Sequence, residues 1–164
     1  MNIIIKQMET ENEIRGKAYV HWASWHEAYP GLIRGEYLDK LTLEKCVEIA
    51  YQWPNNILVA KDGDRVIGFV GAGTYQDRSV SDTGEVFALY VLKEYYGSGV
   101  GQMLMQAAIE QFCPYPKIML WVLKENGRAI RFYEKCGFRK TGEKQELPAL
   151  EAVEIRMIRE HPQQ

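Results

Sequence analysis

Cysteine is scarce and badly placed for chemistry. The three in 164 residues, Cys46, Cys113 and Cys136, are odd in number, far apart and without a C-x-x-C pair. That spacing excludes a disulfide framework and a thiolate zinc site. The three read as small buried hydrophobes in a reducing compartment. No apolar run approaches the roughly 18 residues of a membrane-spanning helix. Met1-Asn2-Ile3-Ile4-Ile5-Lys6 lacks the basic stretch and the apolar core of about 7–15 residues that mark a secretory signal. An excess of positive charge is missing too: 20 Lys and Arg stand against 22 Asp and Glu, a formal net charge of −2. A phosphate-tracking nucleic-acid binder needs a basic face. The expectations are a cytoplasmic protein with no membrane, nucleic-acid or metal partner.

What is present is ordinary globular composition, 46% hydrophobic and 26% charged. The length fits one domain of about 100–200 residues, large enough to bury roughly 70% of its unfolded surface without a staple. No repeat, linker or low-complexity tract interrupts residues 1–164.

Strand-like and helix-like segments alternate throughout. Asn2–Met8 reads as a β-branched strand. A helix is expected over Glu11–Tyr29, broken at Pro30-Gly31, and another over Leu43–Tyr51 with Thr42 as N-cap. Asn56–Lys61 and Val66–Tyr75 flank the turn signal Asp62-Gly63-Asp64 and pair antiparallel. Glu85–Leu92 is almost unbroken apolar sequence, as in a central strand covered on both faces. Gln102–Phe112 is helical, with Gly101, Leu104, Met105, Ala108 and Phe112 on one face. A buried strand at Lys117–Leu123, a helix at Asn126–Cys136 closed by Gly137, and strands at Phe138–Lys144 and Ala152–Arg159 complete the chain. The fold class is α/β with a mixed sheet of about seven strands and about four helices. Its strand–glycine loop–helix–strand–helix core lies at 85–136.

Gly97-Ser98-Gly99-Val100-Gly101 joins a buried strand to a helix. It presents free backbone N–H groups at the positive end of a helix dipole, a site for phosphate or pyrophosphate. Glycine lets the backbone close on the anion. A tight turn without a ligand is the plain alternative. Gln102 and Leu104 leave the dinucleotide fingerprint G-x-G-x-x-G incomplete in either register, and the Gly-Lys-Ser/Thr ending of a nucleotide loop is absent.

Residues 85–138 resemble the core of the GNAT superfamily of N-acetyltransferases, which use acetyl-coenzyme A. The family loop Gln/Arg-x-x-Gly-x-Gly/Ala aligns with Tyr96-Gly97-Ser98-Gly99-Val100-Gly101, after the strand Phe87-Ala88-Leu89-Tyr90-Val91. Asn126-Gly127-Arg128-Ala129-Ile130-Arg131-Phe132-Tyr133, running on to Gly137-Phe138, is similar to the second motif, Asn-x-x-Ala-x-x-x-Tyr-x-x-x-Gly-Phe. Tyr96 departs from the loop's usual Gln or Arg.

The resemblance implies a sheet splayed between strands 4 and 5, with the pantetheine arm in the gap. It implies that backbone groups of Leu89, Tyr90 and Val91 hold the arm and polarise the thioester carbonyl. The pyrophosphate would lie on Gly97, Ser98, Gly99, Val100, Gly101 and Gln102. Asn126 would touch the arm from the other side, with Ala129 and Phe132 beside it. Tyr133 matches the tyrosine that protonates the departing thiolate, a transfer open to a phenol of pKa about 10 facing a thiol of about 8.5. The plain alternative for Tyr133 is a core aromatic.

Lys117–Leu123 carries no carboxylate, so Glu85 is the remaining candidate base, acting through water; a solvated residue after a turn is its alternative. The segment Trp22-x-x-Trp25-x-x-x-Tyr29 falls where the family shapes the acceptor pocket, so Trp25 and Tyr29 are expected to bind substrate. His21 and His26 either line that pocket or only pack. The acceptor class is a small amine, polyamine-like, or a peptide, and aromatic walls suit a cation. A homodimer is compatible with the family. The competing functions are a non-catalytic acyl-coenzyme A sensor and a nucleotide-dependent enzyme.

Overall fold

A computed structural model describes residues 1–75 and 82–160. Its seven strands form one sheet in the order β1-β2-β3-β4-β5-β7-β6. They are β1 (Ile3–Gln7), β2 (Ile57–Asp62), β3 (Arg65–Thr74), β4 (Thr83–Val91), β5 (Lys117–Leu123), β6 (Arg139–Leu147) and β7 (Ala152–Glu160). Every neighbouring pair is antiparallel except β4–β5. The α-helices among the described residues are α1 (Glu11–Ala28), α2 (Gly35–Lys40), α3 (Leu43–Gln52), α4 (Val100–Phe112) and α5 (Gly127–Lys135). That is one more than expected. At six residues α2 is too short to show a period, and no side chain caps its start.

α1 begins with a capping box. Thr10 Oγ1 accepts from the Glu13 N–H, and the Glu13 carboxylate accepts from the Thr10 and Glu9 amides. That carboxylate is only 2% exposed and also receives Lys6 Nζ at 2.7 Å and Lys61 Nζ at 3.1 Å. Burial pushes its pKa up, but the four hydrogen-bond donors outweigh it and hold the acid well below the usual carboxylate range. One side chain therefore ties the start of α1 to β1 and β2.

The strand covered on both faces is β3, where Val66 through Gly73 are all buried. The expectation had placed that role on β4, and the structure corrects it. At Gly71/Ala72 the β3–β4 register shifts, since Gly71 faces Ala88 and Ala72 faces Val86. Phe87 is the extra residue of a β-bulge, and it is 48% exposed. From Ala88 to Val91 the strand is half-buried because one side opens onto a gap.

The buried face of α4 also differs slightly from its expected set. It runs Val100, Leu104, Met105, Ala108 and Ile109, while Gly101 and Phe112 flank it half-buried. The helix starts at Val100, so that residue leads the apolar row. Cys46 and Cys113 are buried and Cys136 half-buried, all as free thiols. Burial pushes the first two up to about 11, so they remain protonated packing groups.

Candidate active site

β4 and β5 pair over three residues only, Thr83–Glu85 against Lys117–Met119. Beyond them the strands part, because β4 stays with β3 as far as Val91 while β5 stays with β7 as far as Leu123. The cleft has a volume of about 680 Å³. Its walls are the second half of β4, the end of β5, the loop before α4, and α5.

The backbone on the β4 side is sorted by strand parity. Leu92 N–H donates to Ile67 O, so Tyr90 and Phe69, two residues back in the same register, are also a hydrogen-bonded pair. Leu89 and Val91 alternate with them and turn their N–H and C=O groups toward the gap. Tyr90 presents its side chain to the cleft instead.

At one end of the cleft the glycines divide the work. Gly97 and Gly99 have φ of +77° and +90°, and open space surrounds both; any other residue would be strained there. Gly101 serves a close approach, since a Cβ would stand 2.9 Å from the Phe132 ring of α5. Gly99 is the N-cap of α4 and has no side chain, and the first intrahelical donor is Met103 N–H. The amides of Gly101 and Gln102 are thus left for an anion. Val100 is buried in the core, and the Ser98 hydroxyl turns back to the Tyr95 carbonyl, so neither side chain lines the cleft. Arg128, Arg131 and Lys135 of α5 do line it.

In α5 the Asn126 Oδ1 accepts from the Ala129 N–H and caps the helix, which leaves the Asn126 amide N–H groups for the cleft. Ala129, Phe132 and Tyr133 follow along the same wall. Burial pushes the Tyr133 phenol well above its ordinary range, with nearby Tyr90 adding to it. The phenol is therefore protonated at neutral pH.

Across from it, Tyr29 Oη and Tyr90 Oη are hydrogen-bonded at 3.0 Å. Trp25 packs on Tyr29 edge-on at 4.9 Å between centroids, and Tyr37 of the unexpected α2 stacks on Trp25. Among the described residues neither the buried Ser24 hydroxyl nor the buried Trp25 indole N–H has a hydrogen-bond partner, and both residues line this end.

The carboxylate here is Glu154 of β7, opposite Leu123 and held by Gln145 Nε2 at 2.8 Å. Residue pattern alone had not singled it out. The signal was there, since it lies on the face of β7 opposite Val153, Ile155 and Met157. Glu85 does not reach the cleft lining. It stands at the closed end, where burial raises its pKa, Arg156 opposes the rise and Glu154 adds to it. Neither histidine lines the cleft. His26 Nε2 bonds the Leu41 carbonyl at 2.9 Å, and His21 stacks on Tyr90 and meets the Phe69 and Trp25 rings edge-on.

A sheet parted between a bulged strand and its parallel neighbour, with an anion site at one end and an aromatic, acidic pocket at the other, defines a two-substrate transferase cleft. The chain belongs to the GNAT family of acetyltransferases, whose model matches residues 19–138, and it is an N-acetyltransferase. It is 27% identical over 139 residues to the uncharacterized N-acetyltransferase YuaI of Bacillus subtilis (strain 168), covering 80% of this chain and 78% of that one. An uncharacterized N-acetyltransferase of Archaeoglobus fulgidus is 30% identical over 123 residues, 70% of this chain and 81% of the relative. Among solved structures, the PaiA N-acetyltransferase of Thermoplasma acidophilum in complex with coenzyme A has the same fold, with a TM-score of 0.74. It shares 22% identity over 98% of this chain and 100% of that one. GNAT structures bind coenzyme A or acetyl-coenzyme A. The residues here fit that group through two left-handed glycines in open space, the orphan amides of Gly101 and Gln102, and three α5 cations.

Proposed function

We propose that this enzyme transfers acetyl from acetyl-coenzyme A to the primary amine of a small cationic molecule of polyamine type, by direct attack. The donor supplies a thioester with a carbonyl open to attack and a thiol leaving group. The backbone amides of Gly97, Gly99, Gly101 and Gln102 hold its phosphates, since those of Ser98 and Val100 are spent on the Tyr95 carbonyl and the Ser98 hydroxyl. Leu89 and Val91 offer backbone groups to the arm and, through an N–H, to the carbonyl oxygen. That donor is preorganised in a half-buried gap, where it acts more strongly than in water. Asn126 contributes its amide from the facing wall.

Tyr133 donates the proton that the thiolate requires. Burial weakens the phenol as an acid, but a thiolate formed in the same cleft is destabilised by the same desolvation, so the match between the two groups is kept. Glu154 receives the ammonium end of the acceptor, and Trp25 and Tyr29 wall it with ring faces that attract a cation. Glu85, set back from the cleft near Glu154, is the general base: through water it accepts the proton that the attacking amine loses, while Tyr133 gives the departing thiolate its own.

The observation that carries this reading is the separation inside one cleft of loop glycines and cations at one end from Glu154, Trp25 and the Tyr29–Tyr90 pair at the other. The test is coenzyme A release with acetyl-coenzyme A and an amine panel of diamines, triamines, aminoglycosides and peptides with free N-termini. Turnover strongest on di- and triamines is expected. Turnover confined to peptides would move the acceptor class, and no release with any amine would overturn acetyl transfer to amines.

A further inference from the structure

The loop position where the family carries Gln or Arg is Tyr96. The Arg128 guanidinium, from the far wall of the cleft, lies 3.4 Å from the centroid of its ring. Tyr96 follows β4 and Arg128 opens α5, so the stack crosses the mouth of the cleft at its phosphate end. A guanidinium stacked through its face keeps its five N–H donors in the plane of the fork, free at the edge. Tyr96 therefore fixes a cation without consuming its hydrogen bonds.

Among the described residues Arg128 is in no ion pair. Among the described arginines Arg15, Arg34, Arg65, Arg139 and Arg156 are in ion pairs, and Arg128, Arg131 and Arg159 are in none. Two of those three line the cleft. Gly97, which follows Tyr96, and Gly99 line the same cleft as Arg128, and both have open space at the Cβ position.

We infer that Arg128, shelved on the Tyr96 ring, is the side-chain ligand of the coenzyme's phosphates in this chain, supplying from α5 the charge that the loop itself lacks. The inference rests on acetyl-coenzyme A being the donor. Arg128 acts on the phosphates and Tyr96 positions it. Neither touches the reacting thioester.

The test is calorimetric binding of coenzyme A and of S-acetylpantetheine, which has no phosphate, to wild type and variants. Arg128→Ala is expected to weaken coenzyme A roughly 10- to 100-fold, the scale of one lost charge-assisted contact. S-acetylpantetheine binding should not change, and the salt dependence of coenzyme A binding should flatten. Arg128→Lys should recover only part of the loss, because an ammonium is a point charge without a planar face. Tyr96→Phe should bind as wild type, Tyr96→Ala should lose affinity, and adding Tyr96→Ala to Arg128→Ala should cost nothing further. An equal loss for both ligands in Arg128→Ala would show a merely structural role and overturn the inference, as would no loss at all. A Tyr96→Ala variant binding like wild type would overturn the shelf. Wild type that binds S-acetylpantetheine but not coenzyme A would overturn the phosphate site, and wild type that binds neither would overturn the donor assignment itself.

Discussion

In the proposed mechanism Tyr133, as the acid, and Glu154, as the ligand of the acceptor, divide the chemistry between them. A positioned general acid contributes about 10²–10⁴-fold, so Tyr133→Phe should lower kcat by about 10²-fold or more. Affinity for coenzyme A should hold, because the ring still packs against Phe132 and Phe138. Stopped-flow thiol release beside calorimetric titration checks both. Glu154→Gln keeps the shape and removes the charge. Its expected signature is a KM for diamines raised about tenfold, the scale of one charge-assisted contact, with kcat for the best amine changed less. At this scale the sequence was half legible. Tyr133, Asn126 and the loop glycines sit in motifs with fixed spacing. Glu154 and the Tyr90 side chain sit in strands, where a residue two places along faces the same way but its partner across the sheet depends on register. Tyr29 and Tyr90 are 61 positions apart and meet through the fold, not through a pattern.

α1 is held by one buried acid at its start and packs an aromatic row at its end. Removing one partner of a buried ion network costs about 3–5 kcal/mol, and about 3 is expected for Glu13→Gln. For a chain this long that lowers Tm by roughly 6–12 °C, readable by circular dichroism. Farther along α1, burial lowers the His21 pKa to about 4, with the Lys17 charge adding to it. A histidine of ordinary pKa about 6.5 when unfolded takes up protons in the unfolded state first. Its contribution is complete above pH 6.5 and drains away as the pH falls toward 4. Glu13 works in a lower window, its contribution complete above the ordinary glutamate pKa of about 4.3 and lost only in stronger acid. Acid unfolding should therefore show two stages, and His21→Phe should flatten the first without touching the second. The span of α1 was read from the sequence, but its capping residues Thr10-x-x-Glu13 were not singled out there. Nor was the three-sided grip on Glu13, because Lys61 comes from a strand whose register only the fold reveals.

At the scale of the whole molecule, function follows from where the sheet stops being a sheet. The amides of Leu89 and Val91 have no strand beside them, so in the absence of ligand they should exchange hydrogen quickly for a central strand. Saturating coenzyme A should slow them markedly, while the Tyr90 amide, bound to β3, should be slow throughout. Amide exchange read by NMR distinguishes these positions. The mixed sheet was legible from the alternation of segments, and its splay between strands 4 and 5 from the family likeness, but the strand order, with β7 between β5 and β6, was not. The bulge at Phe87 was not, since an extra residue in an apolar run looks like more of the same run. That is why β4 read as a strand covered on both faces.

The contact between Gly101 and Phe132 carries a last consequence. The glycine loop and the Asn-to-Tyr helix are two separate stretches of text, yet a single methyl group at one would collide with the aromatic ring of the other. The two positions are constrained as a pair. A bulkier residue at 101 is tolerable only alongside a smaller one at 132, so an engineer who recombined the loop of one homologue with the α5 helix of another would have to carry both across together.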